Sequence, residues 1–236
     1  MPAAVRDVIE QFKNQATNAK AIVFEARDNS SASDYVFELV RKHSIKRIVK
    51  SKSILFEKLD LRKYLEKAAI EVKETDIESW IAQLAGEKPH TTIEQLAALI
   101  SGTTGEDLKP DPLVLIKAAR RALRQLYVDA DMGISEADMA IAESGTVVIA
   151  ENEGNSRLVA MLPRIHLTIL DVEKLVPTIK EATIKLKSRR QNATIPGDPL
   201  YITYISGRSS TGDIPKARGI RAQGPEEEYI LILNES

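Results

Sequence analysis

The most apolar part of this sequence, between Met139 and Ala150, is interrupted by polar residues. Glu143 and Thr146 flank Gly145 there, so a carboxylate, a hydroxyl and backbone amides could converge on one ligand. A carboxylate shielded by apolar neighbours would have a raised pKa and could act as a general acid or base. The alternative is a plain turn or bulge in which the Glu143 side chain points to solvent. The pattern leaves both interpretations open.

A second polar group follows in the same block. Asn155 and Arg157 come after Gly154, which can take a positive φ, and an arginine can bind a carboxylate or phosphate through paired hydrogen bonds. Turn chemistry explains the asparagine and the glycine without a ligand. His166 lies in an apolar strand, where a lone histidine is more often a hydrogen-bonded core residue than a catalyst. No second histidine or carboxylate stands at metal-ligand spacing from it, so we predict no zinc site.

A third polar group directly follows the apolar run at residues 201–205. Glycine-flanked hydroxyls at the carboxyl end of a strand are typical of phosphate- or carboxylate-binding loops in α/β folds. The residues that would form such a loop are Ser206, Gly207, Ser210, Thr211 and Asp213. The Walker spacing and the GxGxxG fingerprint are absent, which argues against an ATPase or a nicotinamide enzyme. The segment from Lys50 to Ser53 would add positive charge at the same sheet edge, although lysines there are usually just solvated.

Apolar periodicity places these groups on alternating strands and helices, which predicts an α/β protein with a single open, mainly parallel sheet flanked by helices. We expect residues 1–20 to form an N-terminal helix and residues 21–236 to form one domain. The predicted strands are 21–24, 45–49, 70–72, a hairpin within 139–150, 165–170, and the buried strands 201–205 and 229–233. The predicted helices are 1–15, 29–40, 55–69, 77–84, 115–128 and 172–186.

Composition excludes several classes of function. The 236 residues carry 33 basic and 34 acidic side chains, so nothing attracts the chain as a whole to nucleic acid or to an anionic membrane. They contain no cysteine, which excludes thiolate-held iron–sulfur clusters, disulfides and a thiol nucleophile. Any one-electron chemistry would therefore belong to a partner. No apolar run has the length of a signal peptide or a membrane span, so we expect a cytoplasmic protein.

Several segments resemble a known family. AIAESGTVVIAENEGNSRLVAMLPRIH, followed by EKLVPT, resembles the core of the lactate-utilisation (LUD) domain. SGRSSTGDI and QGPEEEYILIL resemble the C-terminal signature of the lactate utilisation protein C type. IKRIVKSKSIL and IEVKETDIESWIAQLAGE are similar instead to the B type, whose cysteine-rich ferredoxin-like region has no counterpart in these residues. The resemblance, which covers roughly residues 20 to 234, therefore indicates the C type with B-type features in the N-terminal half.

This resemblance implies a Rossmann-like fold similar to sugar-phosphate isomerases and coenzyme A transferases. It also implies an accessory subunit that acts beside iron–sulfur lactate-utilisation subunits in oxidising L-lactate to pyruvate. We expect no cofactor bound through this chain, iron–sulfur clusters in the partner subunits only, and a small carboxylate or phosphate ligand; a homodimer is compatible with this role. Glu143 is the candidate catalytic residue by family motif. The candidate ligand-binding residues are Gly145, Thr146, Asn155, Arg157, His166, Ser206, Gly207, Ser210, Thr211, Asp213, Gly224 and Pro225.

Two other hypotheses remain open on the residues alone. The chain could be a stand-alone enzyme acting on a phosphorylated or coenzyme A-linked small molecule, with Glu143 as acid/base or nucleophile. That hypothesis predicts a deep pocket joining Glu143 to the 206–213 loop. The chain could also be a structural interaction module whose polar loops form a wet protein interface.

Overall fold

The computed structural model of the chain describes residues 3–86, 92–152, 154–191, 201–209 and 224–234. Strands and helices alternate through its first half, as the periodicity predicts. The helices are α1 (Ala3–Asn18), α2 (Asn29–Lys42), α3 (Ile54–Lys58), α4 (Leu61–Lys67), α5 (Ile77–Ala85), α6 (Ile93–Thr104), α7 (Pro112–Asp129), α8 (Asn155–Met161) and α9 (Ile179–Gln191). The strands are β1 (Ile22–Ala26), β2 (Arg47–Lys50), β3 (Glu71–Glu74), β4 (Met132–Glu136), β5 (Met139–Ile141), β6 (Thr146–Glu151), β7 (Ile165–Asp171), β8 (Leu175–Val176), β9 (Tyr201–Ile205) and β10 (Glu227–Leu233).

The central sheet has the strand order β1-β10-β7-β4-β2-β3, and all of its strand pairs are parallel. The α/β fold with a mainly parallel sheet is therefore confirmed. The last strand, β10, inserts between β1 and β7, where Tyr229 is opposite both Ile22 and Leu167. Every residue of β7 is buried, as expected for a strand that is covered on both faces.

Four strands form a second sheet, which the sequence did not predict. Its order is β8-β5-β6-β9, and β5 and β6 are the predicted hairpin, with Met139 opposite Val148. β9 pairs with β6 at the edge of this sheet. The prediction that β9 is a buried strand is wrong, because edge position leaves Tyr201 50% exposed.

Two predicted helices differ from the observed elements. The helix expected over residues 55–69 is divided into α3 and α4 at Asp60, whose φ of 49° is left-handed. The helix expected over residues 172–186 begins only at Ile179, because Pro177 lacks an amide donor and disfavours helical conformation in the residue before it. A short 3₁₀ turn, Val172–Lys174, and β8 precede it.

Helices cover both faces of the central sheet. α2, α3 and α4 contribute Val36, Phe56 and Leu65 to the core on one side. α5, α6 and α7 surround Trp80 in a separate cluster. α1 packs its Phe12 against apolar residues of both sheets. The cluster that joins the two sheets thus lies between α1 and strands β5, β6, β7 and β10.

The start of α7 offers a test of helix capping. Asp111 Oδ1 accepts hydrogen bonds from the amides of Leu113 (2.9 Å) and Val114 (3.0 Å). Asp111→Ala should lower the free energy of unfolding by about 1 kcal/mol, because these two donors lose their acceptor. Urea denaturation would measure this, with the exposed Asp107→Ala as control. Equal midpoints for the two variants would show that the cap does not stabilise α7.

Candidate functional site

A cleft of about 530 Å³ opens at the carboxyl ends of β2, β3 and β4. From β2 the chain continues outward to β3 at the sheet edge, whereas β4 lies on the opposite side of β2 and adjoins β7. The direction of strand succession therefore reverses between β2 and β4, and ligands of open α/β sheets bind at such switch points. The cleft is lined by Ser51, Lys52, Ile54, Asp76, Glu136, Asp138, Ile149, Ala150, Glu151, Asn152, Asn155, Ser156 and Lys174.

Glu136 ends β4 and forms the centre of the polar wall. Its Oε2 accepts hydrogen bonds from the Ser53 hydroxyl (2.9 Å) and the Leu55 amide (3.0 Å), at the start of α3. Its Oε1 pairs with the Lys174 ammonium. Burial, the largest single influence, raises the pKa of Glu136, but the hydrogen bonds from Lys174, Leu55 and Ser53 together outweigh it and lower the pKa below its ordinary value.

This lowered pKa predicts a pH-dependent stability. A carboxyl with a lowered folded-state pKa stabilises the fold above its ordinary value of 4.5, and the contribution is lost as the pH falls through the folded-state pKa. Glu136→Gln should therefore cost about 1–2 kcal/mol at neutral pH and progressively less below the ordinary value. Urea unfolding at several pH values would measure this, with the exposed Glu78→Gln as control. A deficit that stays constant down to acid pH would contradict the assignment.

A buried ion pair lies next to the cleft, at the ends of β2 and β3. Lys50, the last residue of β2, is 2% exposed, and its ammonium lies 3.0 Å from Oε1 of both Glu74 and Glu57. Arg62 also pairs with Glu74. Since a buried charge is tolerated only when it is paired, these contacts fix the ends of β2 and β3 next to Ser51.

The opposite wall is formed by Asp138, Glu151 and α8. Asp138 Oδ2 accepts a hydrogen bond from the Ala150 amide (2.6 Å). Glu151 Oε2 and Oε1 accept from the amides of Ser156 (2.8 Å) and Arg157 (2.9 Å), so this carboxylate caps the start of α8. Each of these acidic side chains therefore already binds backbone amides of the protein.

Two serine hydroxyls in the cleft have no partner in the described part of the chain. Ser51 is 3% exposed and Ser156 is 7% exposed, and both line the cleft. Their amides are hydrogen-bonded, to Ile134 O and to Glu151 respectively, but their hydroxyl groups make no hydrogen bond with described residues. Both serines line the cleft, so their hydroxyls are available to bind a ligand there.

Glu143, the predicted catalytic residue, lies elsewhere. It is exposed, and its Oε1 accepts a hydrogen bond from the Ile179 amide (2.7 Å) at the start of α9. The expectation that apolar neighbours shield it is wrong, because it lies in the exposed turn between β5 and β6. Glu143 does not line the cleft, and the geometry gives it the role of a helix cap.

The structure brings two predicted groups together at the start of β6. Thr146 Oγ1 lies 2.6 Å from Ser206 Oγ. Gly145 and Gly207 both pack against the end of α1, where an added Cβ would lie 2.1 Å from Ala16 N and 1.7 Å from Ala19 O respectively. These glycines therefore admit the close approach of a helix. Since strands rise about 3.3 Å per residue, this group lies roughly 17 Å along β6 from the cleft at Glu151.

Only part of the group at residues 154–157 reaches the cleft. Gly154 takes a φ of 80° before α8, and Asn155 lines the cleft. Arg157 is exposed, and its Nε donates a hydrogen bond to Met161 Sδ at 3.4 Å, so it does not converge with the cleft residues. The predicted 206–213 loop is described only as far as Ser209, and Ser210, Thr211 and Asp213 lie outside the described residues. Gly224 and Pro225 lie beside Ser209, whose amide donates to Pro225 O at 3.0 Å.

His166 is fully buried in β7, between β4 and β10. Its Nε2 lies 2.8 Å from Ser135 Oγ, and its Nδ1 lies 2.8 Å from Glu228 Oε2. Thr168 Oγ1 donates to Glu228 Oε1 at 3.1 Å. The side chains of Ser135, His166, Thr168 and Glu228 are 0% exposed. His166 is therefore a hydrogen-bonded core residue, and it has no access to a ligand in this structure.

The sequence did not single out Glu136, Asp138, Glu151, Ser135 or Glu228. Glu151 ends the apolar strand β6, and this position is the signal by which it could have been found, whereas the interrupted apolar pattern of β4 gives no such signal for Glu136. Among the described residues, no group of three or more His, Cys, Asp and Glu side chains could hold a metal ion. Within the same residues, no helix is both long and apolar enough to cross a membrane.

The family model described as the LUD domain matches residues 9–233 of this chain. The chain belongs to the LUD domain family. A crystal structure of a DUF162 family protein from Deinococcus radiodurans superimposes with a TM-score of 0.54 at 12% identity, covering 98% of this chain and 99% of that one. At that identity the likeness shows the fold alone, and it agrees with the α/β architecture of this LUD domain.

Relatives of this LUD domain share a name. Lactate utilization protein B of Geobacillus thermodenitrificans is 34% identical over 221 residues, which cover 90% of this chain and 45% of the relative. Lactate utilization protein B of Bacillus subtilis is 31% identical over 223 residues, which cover 90% of this chain and 44% of the relative. The chain thus spans about half the length of the curated relatives that it matches. The prediction of the C type is wrong, because these relatives carry the B name.

Proposed function

We propose that this LUD domain is a component of a lactate-utilisation system and that the cleft at the ends of β2, β3 and β4 is its ligand site. The observation that carries the site is a pair of serines of low exposure, Ser51 and Ser156, which line a cleft at the switch point of the sheet. Their hydroxyls make no hydrogen bond with described residues. The lactate role is supported by relatives named lactate utilization protein B.

The domain acts in this system beside iron–sulfur partners. Oxidation of L-lactate to pyruvate releases electrons that an acceptor must take up. The 236 residues contain no cysteine to hold an iron–sulfur cluster, so the electron carriers belong to partner subunits or segments. The cleft binds a small molecule that this system requires, and its polar groups lie on the rigid ends of strands.

Deletion of the gene in its source organism tests this proposal. The deletion strain should fail to grow on L-lactate as carbon source while growing normally on pyruvate. Wild-type chain should restore growth, whereas Ser51→Val, which removes a hydroxyl and adds methyl groups in the cleft, should not. The matched control is Ser188→Val on the exposed face of α9, which should restore growth fully.

Two results would contradict the proposal separately. Normal growth of the deletion strain on L-lactate would remove the lactate role. Full complementation by Ser51→Val, with normal amounts of the variant protein in the cell, would remove the cleft as the functional site. Purification of the tagged chain from lactate-grown cells should also recover iron and acid-labile sulfide in the complex.

A further inference from the structure

The carboxylates of the cleft occupy the positions that a bound anion would take. We infer that the cleft binds a neutral small molecule rich in hydroxyl or amide N–H donors, and that it discriminates against carboxylates and phosphates, lactate and pyruvate included. This inference rests on the proposed function, because it takes the cleft to be the ligand site. It differs from the small anionic ligand that the sequence predicts.

The first observation concerns the backbone amides around the cleft. α/β folds that bind phosphate leave the amides at the starts of helices free for the anion. Here Glu136 accepts from the Leu55 amide at 3.0 Å, and Glu151 accepts from the amides of Ser156 and Arg157 at 2.8 and 2.9 Å. The protein's own carboxylates therefore occupy three of the amides that an incoming anion would use.

The second observation is the charge of the lining. Among the described residues of the lining, the carboxylates of Asp76, Glu136, Asp138 and Glu151 and the ammonium groups of Lys52 and Lys174 give a formal charge of −2. Lys174 is paired with Glu136. Lys52 is exposed, so its charge is screened by solvent. An anionic ligand would therefore be repelled by the net negative charge of the lining. Ionised carboxylates accept hydrogen bonds and cannot donate them, so a ligand that binds beside them must supply the donors.

The third observation points to a ligand independently of charge. Ser51 and Ser156 are 3% and 7% exposed, and their hydroxyls lack partners in the described part of the chain. A hydroxyl both donates and accepts, so these groups complement a ligand hydroxyl or amide equally well. The cleft volume of about 530 Å³ is within the range of small-molecule sites.

Matched pairs of probes that differ in one anionic group test the inference. The pairs are L-lactamide with L-lactate, D-ribose with ribose 5-phosphate, and adenosine with adenosine monophosphate. Dissociation constants for the whole chain would be measured by titration calorimetry or ligand-observed NMR at constant ionic strength. At least one neutral probe should bind roughly tenfold or more tightly than its anionic partner, and Ser51→Val should abolish that binding.

A charge-neutralising variant identifies the source of the discrimination. Asp138→Asn keeps an oxygen for the Ala150 amide and removes one negative charge from the cleft. It should bind the anionic member of the pair several-fold more tightly and so narrow the ratio between the two probes. The control is the exposed Asp107→Asn, which lies outside the cleft lining and should leave the ratio unchanged.

The outcomes separate this inference from the proposed function. If the anionic probes bind as tightly as their neutral partners or more tightly, and this binding is lost in Ser51→Val, the inference of a neutral ligand is overturned while the cleft remains the ligand site. Failure of every probe to bind would overturn the inference as well. Growth of the Ser51→Val strain on L-lactate decides independently whether the cleft serves lactate utilisation.

Discussion

Glu228→Ala should lower the free energy of unfolding by about 3–5 kcal/mol, because it leaves buried polar partners without an acceptor. Glu228 lies in β10 and is 0% exposed. Its carboxylate accepts from His166 Nδ1 at 2.8 Å and from Thr168 Oγ1 at 3.1 Å. Neither donor can turn to water when the carboxylate is removed, since both residues are also 0% exposed.

The network also explains why the loss should affect the whole domain. His166 in β7 lies 2.8 Å from Ser135 in β4, so the side chains of Ser135, His166 and Glu228 link three adjacent strands of the central sheet. Both ring nitrogens of His166 are thus engaged, Nδ1 with Glu228 and Nε2 with Ser135. Serine, histidine and glutamate are hydrogen-bonded in this order in the catalytic triads of some hydrolases, but Ser135 is fully buried here and cannot contact a substrate.

Thermal and urea unfolding would measure the effect. For a domain of this size, the expected loss corresponds to a fall of roughly 6–20 °C in Tm. Glu228→Gln should be less damaging, because its amide oxygen still accepts one hydrogen bond. The exposed Glu173→Ala is the control and should change stability by no more than about 0.5 kcal/mol. A Glu228→Ala protein as stable as that control would show that the network does not stabilise the fold.

The sequence predicts the fold class because most of its strands can be recognised from local runs of apolar residues. β7 and β10 are near-continuous apolar runs, and such runs indicate strands buried on both faces. The sequence did not predict β4, because Gly133, Ser135 and Glu136 interrupt its apolar pattern. Gly133 is required by packing, since a Cβ there would lie 2.0 Å from Val159 O in α8. Such a contact joins distant parts of the chain and leaves no local signal.

The candidate site was less predictable than the fold. The sequence places the segment from Lys50 to Ser53 at a sheet edge, and Ser51 and Lys52 line the cleft. Glu136, Asp138 and Glu151 face the same cavity only because β4 and β6 belong to different sheets whose ends meet there. The position where the two sheets meet depends on strand order, and the periodicity of apolar residues gives no information about strand order. The glycine-rich patterns predict ligand binding, whereas Gly145 and Gly207 accommodate the close approach of α1.

Gly207→Ala should destabilise the domain by about 2–4 kcal/mol through the combination of backbone strain and a steric clash. Gly207 has a φ of 66°, which an L-residue adopts only at a cost. An added Cβ would lie 1.7 Å from the Ala19 carbonyl oxygen, so the backbone after α1 would have to move. That movement would also disturb Phe12 of α1, which is fully buried against both sheets.

Gly105→Ala separates the two causes. Gly105 has a φ of 72°, nearly the same conformation, but an added Cβ would have no atom within 4 Å. Its variant should lose only the strain energy of about 1 kcal/mol, so the difference between the two variants measures the clash with α1. Urea denaturation gives both values, and hydrogen exchange should show α1 amides less protected in Gly207→Ala alone. Equal losses would mean that α1 adjusts freely and that Gly207 is required only for its backbone conformation.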